Sequence, residues 1–110
     1  MAVKQTAGRD TLGQFAPKFA QLNDDVLFGQ VWNRTDKLSL RDLSLVTVVA
    51  LLAQWLTDSS FQYHLATARQ NGVTREELAE VLTHAAFYVG WPKAWPAFRM
   101  AKDVWAAEAE

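Results

Sequence analysis

The 110-residue chain contains no cysteine, which excludes disulfides, cysteine-ligated zinc and thiol redox chemistry together. Neither sign of charge is in excess, since eleven Lys and Arg face twelve Asp and Glu for a net charge of -1. The cations are spread from Lys4 to Lys102 and form no basic stripe. The clustered positive footprint of a nucleic-acid binder is therefore missing. Long apolar runs are missing too. The longest, Leu45 to Leu52, is interrupted by Thr47 and followed by Gln54, too short and too interrupted to span a bilayer. Residues 1–8 contain no apolar core of signal-peptide length. These absences predict a cytoplasmic protein with neither a nucleic-acid nor a membrane partner.

Apolar surface, by contrast, is abundant. Half the residues are hydrophobic and five are Trp. A chain of this length is expected to form one domain, and a domain that small buries only about two-thirds of the surface its unfolded chain exposes. An apolar surplus on a soluble protein marks an interface, so self-association is expected.

The periodicity is helical throughout. Residues 1–10 are polar around Gly8 and read as loosely ordered. Pro17 suits the first turn of a short helix carrying Phe19, Leu22 and Val26, with Asn23-Asp24-Asp25 as a break. Gly29 to Lys37 reads as a connection holding Trp32 and Arg34. Ser39 and Asp42 resemble a capping box before a helix over Leu40–Leu56 that is apolar nearly all round. Asp58 or Ser59 can cap a third helix bearing Phe61, Leu65 and Ala68, which Gly72 ends. Thr74-Arg75-Glu76-Glu77 is a full capping box for a fourth helix with Leu78, Val81, Leu82, Ala85 and Val89 on one stripe. Gly90 and Pro92 stop it, and a last helix holds Phe98, Ala101, Val104 and Trp105. On the fourth helix His84, Phe87 and Tyr88 fall on the flank away from the stripe, so that flank needs a second packing partner. The fold class is all-α, with five or six helices.

Several stretches carry a resemblance. They are Phe28-Gly-Gln-Val-Trp-Asn-Arg34, Leu38-Ser-Leu-Arg-Asp-Leu-Ser-Leu-Val46, His64-Leu65, Asn71-Gly-Val-Thr-Arg-Glu-Glu-Leu-Ala-Glu-Val81 and His84-Ala-Ala-Phe-Tyr-Val-Gly-Trp-Pro92. In this order and spacing the chain resembles the carboxymuconolactone decarboxylase family of the AhpD-like superfamily, closer to its γ-carboxymuconolactone decarboxylase branch. The likeness covers roughly residues 15–105. It implies an all-helical fold assembled into trimers or hexamers, and one of two chemistries. One branch decarboxylates a small lactone acid without a cofactor; the other reduces peroxides through a Cys-x-x-Cys pair followed by a His.

The departures from both patterns are specific. With His64 placed on the family histidine, Thr57 and Ser60 stand where the thiols would be. A hydroxyl supplies no thiolate and forms no disulfide. The decarboxylase branch commonly has Glu-Leu-Pro-Phe before this His, and often Arg where Leu43 stands. Here the four residues are Ser60-Phe61-Gln62-Tyr63, so a carboxylate that would assist the histidine is missing.

Decarboxylating such a lactone requires a carboxylate anchor, stabilisation of a dienolate oxygen and return of a proton to carbon, with no metal. A His near neutral pKa suits the proton step, and Arg suits the anchor. His64 is the first acid/base candidate by its match to the family histidine; the alternative is a core histidine bonded to a backbone carbonyl, or an interface residue. His84 is the second, with Glu80 one turn before it; the alternative is a surface or interface i,i+4 pair. Arg34 and Arg41 are anchor candidates, though such a residue is more often part of an ordinary salt bridge. Trp32 and Trp91, with Trp55 and Trp95, are candidate substrate-binding walls or simply packing residues. The expected activity is a cofactor-independent lyase acting on a small organic acid or lactone. The competing reading is a non-catalytic, ligand-binding oligomer.

Overall fold

The computed structural model describes residues 5–106, and every element among them is helical. The chain divides between Leu40 and Arg41 into two compact units.

The N-terminal unit holds α1 (Ala7–Leu12), α2 (Pro17–Gln21) and a wider π-helical segment, π1 (Leu22–Val31). Part of the stretch expected to be loosely ordered is thus helical: residues 7–10 open α1, while residues 1–4 lie outside the described residues. The reason is a long-range hydrogen-bonding partner that local composition does not reveal. The buried Asp24 carboxylate accepts the backbone N–H groups of Gly8 at 2.9 Å and Arg9 at 3.0 Å, satisfying two donors of the first turn. Arg9 in turn donates to both oxygens of Asp25, at 2.8 and 2.7 Å. Gly8 is required by this closeness. A Cβ there would lie 2.7 Å from Asp24 Oδ1 and 2.9 Å from the Ala20 carbonyl oxygen.

The Asn23-Asp24-Asp25 stretch does not break the helix as expected. The chain instead widens its winding at Leu22 and continues to Val31, and the Trp32 N–H closes the last turn on the Leu27 carbonyl at 2.9 Å, five residues back. The expected connection from Gly29 therefore starts only after Val31.

The C-terminal unit contains α3 (Leu40–Ala53), α4 (Ser59–Gln70), α5 (Arg75–Val89) and α6 (Trp91–Val104). Its core is one hydrocarbon cluster, in which Val48 and Leu52 from α3 meet Phe61, Leu65, Leu78, Leu82, Ala97, Ala101 and Trp105. The turn after α4 is held by Asn71, whose side-chain amide donates to the buried Ser44 hydroxyl of α3 at 2.9 Å. Trp105 Nε1 donates to the Val73 carbonyl at 3.1 Å, so the largest buried side chain has its polar atom satisfied.

The local signals of this unit act as written in the sequence. Asp58 accepts from the Ser60 and Phe61 N–H groups at the start of α4. Thr74 and Glu77 form the reciprocal capping box of α5. Two details differ from expectation. First, α3 ends at Ala53 rather than Leu56, because Trp55 takes the left-handed conformation (φ 63°) and the Leu56 N–H folds back to the Leu51 carbonyl at 3.0 Å. Glycine usually takes this position. Second, Pro92 lies in the first turn of α6, and Pro96 is carried inside that helix. Gly90, at φ 117°, is the single residue between α5 and α6.

Candidate active site

The face of α5 away from the core carries a row at helical spacing, Glu80, His84 and Tyr88. With Val81, Ala85 and Val89 from the same helix and Val49 from α3, these residues line an open groove of about 620 Å³. The His84 imidazole is exposed and stacks on the Tyr88 ring, with centroids 5.3 Å apart and planes 30° from parallel. Four of the seven lining residues are Val or Ala, so a ligand in the groove meets apolar walls. Proton-exchange and hydrogen-bonding capacity is gathered along one edge, where a carboxylate, an imidazole and a phenol succeed one another.

His64 does not line this groove. It lies on α4 beside the fully buried Phe61 and Leu65 and is half-buried, with Nδ1 inside and the Tyr63 ring edge-on at 5.1 Å. Burial pushes its pKa below the ordinary histidine value, because a desolvated imidazolium is disfavoured. At neutral pH His64 is therefore the neutral imidazole.

The remaining candidates are dispersed. Arg41, in the first turn of α3, is paired with Glu77 and lies 3.4 Å from Asp42. Glu77 is itself held below the usual carboxylate range by the capping hydrogen bond from the Thr74 N–H, with Arg41 adding to the effect. Arg34 is exposed in the connection after π1, where its carbonyl accepts from the Lys37 N–H at 3.0 Å. Trp32 is buried and stacks on Phe28 with centroids 6.0 Å apart. Trp91 meets Phe87 edge-on at 5.3 Å; with Trp95 and Phe98 it lines a different, smaller groove of about 300 Å³. Trp55 lies beneath the Lys93 ammonium, which is 5.5 Å from its ring centre and donates to the Ala53 carbonyl.

Residues 17–103 match the carboxymuconolactone decarboxylase family. The chain belongs to that family. It is 35% identical over 95 residues to the 4-carboxymuconolactone decarboxylase of Acinetobacter baylyi, a match covering 86% of this chain and 69% of that protein. Within this family member, sequence reasoning had singled out His84 and Glu80 but not Tyr88 as a site residue. The signal was available, because Tyr88 stands as far after His84 as Glu80 stands before it. Val49 carried no such signal, since it belongs to an apolar run in which every residue looks alike.

Proposed function

We propose that this protein is a cofactor-independent decarboxylase of a small organic acid or lactone, with His84 as the group that exchanges a proton with the substrate. One observation carries the reading: in a chain of this family, an imidazole opens onto an apolar groove with a carboxylate one helical turn away. In the proposed reaction the bond between the ring carbon and the carboxylate breaks and CO2 leaves. The electron pair passes through the adjacent C=C bond onto the ring carbonyl, giving a dienolate. The imidazolium of His84 then returns one proton to carbon. Apolar walls favour the first step, because neutral CO2 is released from a charged carboxylate. Glu80, one helical turn before His84, lines the same edge of the groove. In this reading His64, half-buried and neutral, holds the α4 side of the core.

The test uses 4-carboxymuconolactone, following CO2 release, with folding checked by circular dichroism. His84→Ala is expected to lower kcat/KM by about 10²–10⁴-fold, and His64→Ala by much less. The opposite ranking would transfer the proton role to His64. Full turnover by both variants would end the reading.

A second reading, ligand binding without turnover, draws support from the groove's charge. Among the described lining residues the ionisable side chains are Glu80, His84 and Tyr88, so a departing carboxylate meets no guanidinium there. Absence of turnover in the wild type, with saturable binding of the same acid, would favour this second reading.

Self-association is part of the proposal. Phe87 and Tyr88 are 76% and 81% exposed, with Trp91 and Trp95 also more than half exposed, and an apolar display of this kind suits a second copy of the chain. Sedimentation equilibrium is expected to show a trimer or hexamer. A monomer at all concentrations would remove this part.

A further inference from the structure

A second groove, of about 310 Å³, lies between the beginning of α5 and the end of α6. Leu78, Ala79, Phe98, Ala101 and Trp105 supply its apolar surface, and the two charged residues lining it are Arg75 and Lys102, both cations. Arg75 is at the first position of α5, where the helix end adds partial positive charge. Its guanidinium keeps a loose neighbour in Glu76, 3.6 Å away, and is about half exposed. The volume is near the lower limit of the roughly 300–1,000 Å³ typical of small-molecule sites.

From this arrangement we infer that the α5–α6 groove binds a small aromatic carboxylate. The half-buried Phe98 ring offers an aromatic body an offset-stacked or edge-on contact, above the enclosed Trp105. Lys102 and Arg75 at the rim meet the carboxylate while the body is removed from water. Charge complementarity selects the occupant: a neutral aromatic gains nothing from the rim, and a cation is repelled by it. The groove is a binding site and not a second reaction centre. Among its described lining residues there is no carboxylate, imidazole or hydroxyl to move a proton. The inference is independent of the decarboxylase reading, which concerns the opposite edge of α5.

The experiment titrates the full-length, ¹⁵N-labelled protein with 2-naphthoate and follows backbone amide shifts. Saturable shifts are expected at Leu78, Ala79, Ala101 and Lys102. Lys102→Glu is expected to weaken binding about tenfold or more, since one charged contact to the carboxylate becomes a repulsion. 2-Naphthamide, with the same rings and no charge, is expected to bind about tenfold more weakly than the acid. Arg75→Gln, measured in parallel, gives a second route should Lys102→Glu perturb folding, and is expected to weaken binding in the same direction. Shifts confined to the His84 groove, no saturable shifts at all, or equal affinity for acid and amide would each overturn the inference.

Discussion

In the N-terminal unit the large apolar side chains Phe15, Phe19, Leu22 and Val31 are exposed, Phe15 by 90%, while a carboxylate, Asp24, is buried. In the C-terminal unit burial runs through hydrocarbon, with Val48, Leu52, Phe61, Leu65 and Leu82 fully enclosed. The first unit encloses Ala20 and Trp32 but adds directional contacts centred on the buried Asp24, whereas the second rests chiefly on non-directional contacts that depend on volume. Hydrophobic cohesion scales with area and tolerates small shifts, whereas a buried carboxylate stabilises only while its donors stay in place. The candidate groove of His84 lies wholly on the second kind of support.

The largest expected effect comes from the enclosed hydrocarbon. Leu82→Ala removes a fully buried side chain and is expected to cost about 2–5 kcal/mol in denaturant unfolding. Phe15→Ala, at an exposed position of the other unit, is expected to change stability by no more than about 0.5 kcal/mol. A loss of several kcal/mol at Phe15 would break the comparison, by showing that its ring is covered in solution.

Next in size is the effect at Asp24. Burial alone would push this carboxyl up, but hydrogen bonds from the Asn23 side chain and from the Arg9 and Gly8 N–H groups, together with the Arg9 charge, hold it below its ordinary value. Asp24→Asn removes the charge and replaces one acceptor oxygen by a donor that faces other donors. Amide hydrogen exchange is expected to accelerate at Gly8, Arg9 and the rest of α1, with α4, α5 and α6 unchanged. Equal acceleration in both units would mean that they share one cooperative transition, and the contrast between them would fall.

The same contrast explains what was legible in the sequence. Helix caps are local, so Thr74 with Glu77 and Gly90 could be read directly and the cap of α4 narrowed to Asp58 or Ser59, and the stripe of Leu78, Leu82 and Ala85 follows from helical spacing alone. The contact of Asp24 with Gly8 and Arg9 spans sixteen and fifteen residues, and no local pattern announces it. The end of α3 was misplaced because Trp55 takes a backbone conformation that its residue type disfavours. At the candidate site, the Glu80, His84 and Tyr88 row was legible because it lies on one helix. That Arg75 and Lys102 line one groove was not, because only helix packing brings α5 and α6 together. Apolar character nearly all round α3 implied burial on several sides, yet Val46 is 60% exposed.

Thr74→Ala sharpens the comparison on a smaller scale. It deletes the hydroxyl that accepts the Glu77 N–H at 3.1 Å, and is expected to lower stability by about 1 kcal/mol, within the roughly 0.5–2 kcal/mol usual for such caps. The loss should appear as faster exchange in the first turn of α5. Because the cap supports a helix already fixed by its core face, the effect should stay well below that of Leu82→Ala.

Mild acid should separate the two units by a still smaller margin, through different groups. His64 titrates below its ordinary value of 6.5 in the folded state because of burial, so the unfolded chain takes up its proton first. Its contribution to stability is therefore complete above about pH 6.5 and is lost as pH falls through the lower folded value. Asp24 is also depressed, from an ordinary value of 3.8, so its contribution is complete above that value and is lost only as pH falls further. Between about pH 6.5 and pH 4 the C-terminal unit should thus lose protection while α1 keeps it, as measured by hydrogen exchange corrected for intrinsic rates. His64→Gln should abolish that slope in α4 and leave the behaviour of α1 unchanged. If α1 instead opens first on acidification, the carboxylate is not what holds it, and the distinction between directional and hydrocarbon support fails at its most exposed point.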